Sequence, residues 1–253
     1  MRYSVIIPSK DRPDLLQRVT RSLWMSQDAA NDPPYELIVV ETGDTVISRV
    51  DGPDCQIIHL PGATFAQANN AAVKMAHSKR LLLCNNDVIF QSDILQAFDI
   101  ASLHHPDRII GAHLVYPDSL TQHAGIGFDN EGNPYNLWRL APRLHPEVQQ
   151  RRRLPAVTFA CAMIPRIIWE ELGGLDEGYT NAYEDVDFCL RATEAGYSVM
   201  YDPMVSATHL EAQTAGRHDH DAESMKHFRQ KWLANGRLFK ALGMWPFSIG
   251  GPG

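Results

Sequence analysis

The sequence predicts an α/β fold: a mainly parallel central sheet flanked by helices, with a helical extension at the C-terminal end. Two observations carry this expectation. Short β-rich runs alternate with segments of helical periodicity over roughly the first 110 residues, the order that produces parallel strands joined by helical crossovers. The predicted strands then end on polar groups, at Pro8-Ser9-Lys10-Asp11, Glu41-Thr42-Gly43 and Asn85-Asn86-Asp87. With 253 residues, 44% of them apolar, the chain can bury the core of one large domain or two small ones.

Taken in order, "YSVIIPS" reads as a buried strand ending at Pro8, and "RPDLLQRVTRSLWMS" as a helix with Leu15, Leu16, Val19 and Leu23 on one face. "YELIVVETG" is a second strand, "CQIIHLP" a third, "FAQANNAAVKMAHS" a second helix and "KRLLLCNNDVIF" a fourth strand. Strand, helix, strand is a nucleotide-binding arrangement whose ligands sit at the carboxyl ends of the strands. The second half is less regular. "RIIGAHLVYPDSLTQHAGIGF" reads as strand and turn, residues 129–153 as a long loop, and "LPAVTFACAMIP" as a strand. "RIIWEELGGLDEGY" is a short helix stopped by Gly173-Gly174, and "NAYEDVDFCLRATEAGY" a longer one closed by Gly196. "SVMYDP" is a last strand, "ATHLEAQTAGRHDHD" a polar loop, "AESMKHFRQKWLANGRLFKALG" an amphipathic terminal helix, and "SIGGPG" a disordered tail.

Thirty acidic residues against 23 basic ones give a net charge of -7, which disfavours nucleic-acid binding. The N-terminus does not fit a signal peptide, and the longest apolar stretch, residues 154–169, is broken by Pro165-Arg166 and too short to span a bilayer. Four cysteines far apart in sequence, with no CxxC pair, point to free thiols in a reducing compartment, so a cytoplasmic protein is expected.

Several polar clusters admit two readings. Asn85-Asn86-Asp87 is either an Asx turn or a divalent-metal and phosphate site in which Asp87 supplies a hard oxygen. In the helix after Tyr183, Val186, Leu190, Thr193 and Tyr197 form the core stripe, and Glu184, Asp187 and Arg191 share the opposite face. Asp187 is explained by the helix dipole and a pair with Arg191. Glu184-Asp185, beside an aromatic pair, suit a partly desolvated base. His209 is a structural imidazole or a metal ligand. The His218–Asp221 tract reads as a solvated loop. Arg151-Arg152-Arg153 is a solvated run or a holder for a phosphorylated acceptor.

The order of "SVIIPSKDRPDLL", "ELIVVETGD", "TFAQANNAAVKMAHSKRLLLCNNDVIF", "LVYPDSLTQHAGIGF", "AVTFACAMIPR", "LGGLDEGYTNAYEDVDFCLRATEAGY" and "THLEA" resembles a family 2 glycosyltransferase of the GT-A fold. It is most similar to the bacterial, non-processive, rhamnosyltransferase-like members, over residues 3–215. The resemblance implies an inverting enzyme that moves one sugar from a nucleotide-diphosphate sugar to a hydroxyl of a glycan or lipid-linked acceptor, in bacterial surface glycan or glycoconjugate synthesis. It implies that Pro8 and Ser9 cup the base and ribose, that Glu41 stands where relatives carry an aspartate contacting base or ribose, and that Asn70 supports the nucleotide pocket. Asn85-Asn86-Asp87 takes the D-x-D position, Asp87 binding Mg²⁺ or Mn²⁺ and His209 completing the metal shell. Asp185 takes the place of the catalytic base, with Glu184 as its partner.

On this reading residues 1–110 are the nucleotide-sugar-binding half, 111–215 the acceptor-binding and catalytic half, and 216–253 a terminal helix and tail. Two departures stand out: Asn85 replaces the first acid of D-x-D, leaving fewer anionic ligands, and Phe159 replaces a glycine common in relatives. The Q-x-x-R-W motif of processive synthases is missing, which favours single-sugar transfer. Competing readings are a sugar nucleotidyltransferase, although "PSKDRPD" lacks a glycine-rich phosphate loop, and a degenerate sugar-nucleotide or glycan-binding module, motivated by Asn85. The terminal helix, with Phe228, Trp232, Leu238, Phe239 and Leu242 on one stripe and Lys226, Arg229, Lys231, Arg237 and Lys240 as its basic side, either packs on the domain, mediates a homodimer, or touches the inner face of a membrane.

Overall fold

The computed structural model describes residues 2–27, 35–50, 55–211, 221–234 and 236–243. The solvated loop expected around His218 and the "SIGGPG" tail lie outside the described residues.

The chain begins with β1 (Tyr3–Ser9), α1 (Pro13–Ser26), β2 (Tyr35–Glu41), β3 (Cys55–His59), α2 (Phe65–Met75), β4 (Arg80–Cys84), β5 (Val88–Ile89) and α3 (Ile94–Ser102). It continues through β6 (Arg108–Val115), β7 (Thr121–His123), β8 (Ile126–Phe128), β9 (Pro134–Asn136), β10 (Arg152–Arg153), β11 (Cys161–Pro165) and α4 (Arg166–Leu172). α5 (Glu184–Glu194), β12 (Ser198–His209), α6 (Asp221–Phe228), a π-helical turn at Arg229–Leu233 and α7 (Arg237–Gly243) complete it.

The main sheet has the order β10-β12-β6-β11-β4-β1-β2-β3, with β5 added beside β12 and β7 beside β6. β3, β2, β1 and β4 are mutually parallel, and so are β6 and β12, while β11 runs antiparallel to both its neighbours, β4 and β6. The sheet is therefore mainly parallel, as the sequence predicts, with β11 as the inverted strand between its two parallel blocks. β1 and β2 read as unbroken apolar runs because both their faces are covered. On one face Val5 and Ile7 meet Leu16, Val19 and Leu23 of α1 and Leu95 and Phe98 of α3. On the other, Ile6, Ile38 and Val40 share a core with α2, α4, α5 and the C-terminal helices.

Local chemistry sets the helix starts. Pro13 occupies the first turn of α1, where a missing N–H costs nothing. α2 opens with a capping box, Gln67 N–H donating to Thr64 Oγ1 and Thr64 N–H to Gln67 Oε1. α4 stops at Gly173, whose φ of 74° is left-handed. The adjoining Gly174, at φ 83°, has no room for a side chain, because a Cβ there would fall 2.5 Å from Asn70 Oδ1.

Four expectations are corrected. The "KRLLLCNNDVIF" run is not one strand: it breaks at residues 85–87, and β5 leaves β4 to pair antiparallel with the end of β12, Val88 opposite His209. Residues 94–102 form a helix that the sequence reading passed over, capped by Asp93, whose side chain accepts Gln96 N–H. β12 does not stop at Pro203; a register shift between Asp202 and Ser206 absorbs the proline and the strand runs on to His209. The single terminal helix is two helices joined by a π-helical turn. Its apolar stripe packs inward, with Phe228, Trp232 and Leu238 buried and Phe239 exposed. Among its basic residues, Lys231 pairs with Asp176 and Asp187, and Arg237 with Glu194. The arginine run is likewise engaged: Arg151 pairs with Asp202, and Arg152 with Glu147 while lying over the Trp138 ring. Among the described residues no helix is long and apolar enough to cross a membrane.

Candidate active site

The carboxyl ends of β1, β2 and β4 lie side by side, and their polar residues interlock. Ser9 O accepts Thr42 N–H at 2.7 Å, and Ser9 Oγ accepts from Asn86 Nδ2 at 3.1 Å. Pro8, one residue earlier, pairs in register with Val40. Glu41 is fully buried, and its Oε1 accepts the N–H groups of Asp11 at 2.9 Å and Gly43 at 2.8 Å. Its Oε2 is buried and has no partner among the described residues, an acceptor left for a donor that enters from outside. Asp11, at a left-handed φ of 51°, folds its carboxylate over the next turn: Oδ1 accepts Asp44 N–H, Thr45 N–H and the Thr45 hydroxyl, each at 2.8 Å. The Thr45 hydroxyl and N–H hold the Asp11 carboxyl below its usual range. Gly43 is required by this close approach, since a Cβ there would meet Asp11 Oδ2 at 2.2 Å. Sequence reasoning passed over Asp11 as an organiser; its signal was an acid just after a strand and before Pro13.

The break after β4 brings Asp87 to His209. Leu210 N–H donates to Asp87 O at 3.0 Å, and His209 Nε2 stands 2.9 Å from Asp87 Oδ1. Both side chains are buried. Asn85 Nδ2 lies 3.4 Å from the same ring nitrogen. On the far side of the ring, Gln122 Oε1 is 2.6 Å from His209 Nδ1. Asp87 Oδ1 is a hard oxygen of the kind Mg²⁺ or Mn²⁺ takes, and His209 Nε2, 2.9 Å from it, is close enough to be a second donor to the same cation. Among the described residues no group of three or more histidine, cysteine or acidic side chains is poised to hold a metal. Asp87 and His209 are thus two candidate donors, with Asn85 a neutral neighbour.

Asp185 comes to the same rim through the segment before β11. Phe159 N–H donates to Asp185 Oδ2 at 3.2 Å, Val186 N–H to Oδ1 at 2.8 Å, and Ala160 O accepts Asn85 N–H at 2.9 Å. Two residues, from the Phe159 amide to the Ala160 carbonyl, therefore separate the half-buried carboxylate from the Asp87 loop. Ala182 and Tyr183 precede α5 with φ of 64° and 71°. Two consecutive non-glycine residues in the left-handed region store strain of order 1–3 kcal/mol each, the kind of cost that clusters at working sites. Glu184 is buried at the first position of α5.

Asp187 corrects the sequence reading. It pairs with Arg191 as expected, but the face opposite the core stripe is covered there: Asp187 is wholly buried, receiving Arg191 Nε at 2.8 Å, Trp232 Nε1 at 2.8 Å and Lys231 Nζ at 2.8 Å. Asn70 lines a pocket together with Val73, Trp169 and Glu177. Its amide clamps the turn before α5, Nδ2 donating to Leu175 O and Glu177 Oε1 and Oδ1 accepting Leu175 N–H at 2.9 Å.

Next to the site, His123 is buried, with Nδ1 2.8 Å from Asn136 Oδ1, and its Nε2 accepts Thr158 N–H at 3.3 Å, holding the segment that reaches Asp185. Burial, then the neighbouring His113 and His209, push His123 down to about 4 against the opposing Asn136 bond. Burial, helped by Arg143, pushes His113 down to about 4 as well. The unfolded chain takes up these protons near pH 6.5, so below that pH it binds protons the folded chain refuses. Stability contributed by the neutral rings is complete above pH 6.5 and is lost as pH falls from 6.5 to 4. Urea midpoints measured across that window should drop, and His113→Gln should flatten the drop; an equally steep fall in the variant would remove His113 from it.

Residues 1–231 match a family model described as glycosyltransferase like family 2. An uncharacterized protein of Sinorhizobium fredii is 31% identical over 90% of this chain and 26% of its own length. The O-antigen biosynthesis protein RfbC of Myxococcus xanthus is 29% identical over 83% of this chain and 17% of its own. The chain thus spans only 26% and 17% of the length of these two relatives. The mannosyltransferase PcManGT of Pyrobaculum calidifontis, solved in complex with GDP-Man and Mn²⁺, aligns with a TM-score of 0.62 at 17% identity, over 93% of this chain and 64% of that one. At that identity the likeness speaks for the fold, which is GT-A.

Proposed function

The chain belongs to the family 2-like glycosyltransferases, and from that premise we propose that it moves a single sugar, with inversion, from a nucleotide-diphosphate sugar to an acceptor hydroxyl in the synthesis of a surface glycan or glycoconjugate. The observation that carries this reading is the two-residue link, Phe159-Ala160, between the Asp87 loop and Asp185. It sets a candidate base beside a candidate diphosphate site.

Ser9, Glu41 and Asn86 would receive the nucleoside, and the partnerless Oε2 of Glu41 would accept an N–H or O–H from base or ribose. Pro8 shapes the same strand end. Asp87 and His209 would hold Mg²⁺ or Mn²⁺, which when bound offsets the charge that grows on the departing diphosphate. Asp185 would take the proton of the acceptor hydroxyl as that oxygen attacks the anomeric carbon from the face opposite the diphosphate. A single displacement of this kind inverts the centre. Glu184 backs Asp185 in the first turn of α5, and Asn70 steadies the turn leading to it. Residues 1–110 would then serve the donor and 111–215 the acceptor.

Thermal-shift screening of nucleoside diphosphates with Mg²⁺ and Mn²⁺ identifies the donor class; NMR of the product's anomeric configuration then tests inversion. A retained configuration would sink the single displacement. A second reading, a binding module without transfer, rests on the neutral Asn85 beside His209 Nε2. It predicts donor binding with neither hydrolysis nor transfer across a broad acceptor panel. Asn85→Asp adds an anionic ligand, and calorimetry should find Mn²⁺ bound more tightly, on the order of tenfold. Unchanged affinity would separate residue 85 from the cation. Contact with a membrane-borne acceptor or a second copy would use the exposed Lys226, Phe239 and Lys240, and liposome co-sedimentation reads it.

A further inference from the structure

Gln122 belongs to none of the roles above, yet it is 3% exposed and touches the imidazole that faces Asp87. Its position is made by an irregularity. On the β6–β7 pair Leu114 stands opposite His123 and Val115 opposite Thr121, so β7 spends one more residue than β6 on this step, and Gln122 is the extra one. Such bulges re-aim a side chain, and they recur beside active sites.

The amide's orientation follows from its two contacts. Gln122 Nε2 donates to the backbone oxygen of His209 at 3.4 Å, which leaves Oε1 2.6 Å from His209 Nδ1. An amide oxygen can only accept, so Nδ1 carries a proton. In the neutral ring the other nitrogen, Nε2, then has no proton to give Asp87 Oδ1 at 2.9 Å, so the two face each other as acceptors that a cation would join, with the donor Asn85 Nδ2 at 3.4 Å. Without Gln122 the ring's one proton would settle on Nε2, where the Asp87 carboxylate is waiting to accept it. A cation would lose that ligand.

We propose that Gln122 is a positioning residue that holds His209 in its Nδ1–H tautomer and so keeps Nε2 available to a divalent cation. The proposal rests on the reading of Asp87 and His209 as the cation's ligands. A partner on the far nitrogen of a ligating imidazole fixes both the ring's angle and its basicity, and loss of such partners costs about 10- to 100-fold in metal affinity.

Two variants and two readouts test it. Gln122→Met keeps the buried volume but offers no acceptor oxygen; Gln122→Glu keeps the oxygen. Mn²⁺ alone, titrated by electron paramagnetic resonance, should bind about 10- to 100-fold more weakly to Gln122→Met, and Gln122→Glu should stay near the wild type. Imidazole ¹⁵N spectra of the metal-free chain at alkaline pH should show the His209 proton on Nδ1 in the wild type and in Gln122→Glu, and on Nε2 in Gln122→Met. A Gln122→Met ring that keeps its proton on Nδ1, or equal losses of Mn²⁺ affinity in both variants, overturns the proposal. A wild-type chain that binds no Mn²⁺ while showing the Nδ1–H ring would sink the cation assignment and still support the hold of Gln122 on His209.

Discussion

Asp185→Asn is expected to lower turnover by about 100-fold or more while leaving nucleotide binding close to the wild type. The amide has the shape of the carboxylate and keeps an oxygen for Val186 N–H, now 2.8 Å from Oδ1. It cannot take a proton from an acceptor hydroxyl. The loss should fall on kcat, since Asp185 accepts the Phe159 and Val186 amides while the nucleoside is expected at Ser9, Glu41 and Asn86. Single-turnover transfer measured beside calorimetry of the nucleoside diphosphate separates the two quantities. Turnover near the wild-type rate would remove Asp185 from the role of base, and a parallel loss of nucleotide affinity would make it a structural residue.

Asp187→Ala is expected to cost about 3–5 kcal/mol of folding stability, the range seen when one partner of a buried ion pair is removed. Asp187 is the only charge of its sign that both Arg191 and Trp232 reach among the described residues, and Lys231 divides itself between Asp187 and Asp176. Arg191 also holds the carbonyls of Leu172 and Gly174, each at 2.8 Å, so the same loss loosens the end of α4 and the glycine turn. Urea unfolding reads the effect directly. A change under about 1 kcal/mol would return the pair to the class of solvated surface bridges.

The two acids are two positions apart in one helix and have opposite fates, which shows what the sequence could and could not convey. Asp187 and Arg191 match the i,i+4 pattern of an exposed pair, and nothing local says otherwise. The burial comes from Trp232, 45 residues later. The boundaries of β1 and the face of α1 were legible because a doubly covered strand and a one-sided helix write their burial into neighbouring residues. α3 was legible too, in Asp93 followed by Ile94, Leu95, Phe98 and Ala101 at helical spacing, and was passed over. β5 was not, because Val88 and Ile89 are ordered by β12, far along the chain. The candidate site divides the same way. Asn85, Asp87, Asp185 and His209 stood out as polar clusters and took their roles from the order of family motifs, but the meeting of Asp87 with His209 spans 122 positions and that of His209 with Gln122 spans 87. No local pattern marks Gln122, whose aim depends on a bulge.

Between the Asn85 amide and the Asp185 carboxylate runs a spacer of main chain two residues long, Phe159 and Ala160, and main chain does not stretch. In the proposed reaction the jaws are therefore set to a single gauge, and a change of cargo has to be accommodated by the walls around them rather than by the bite.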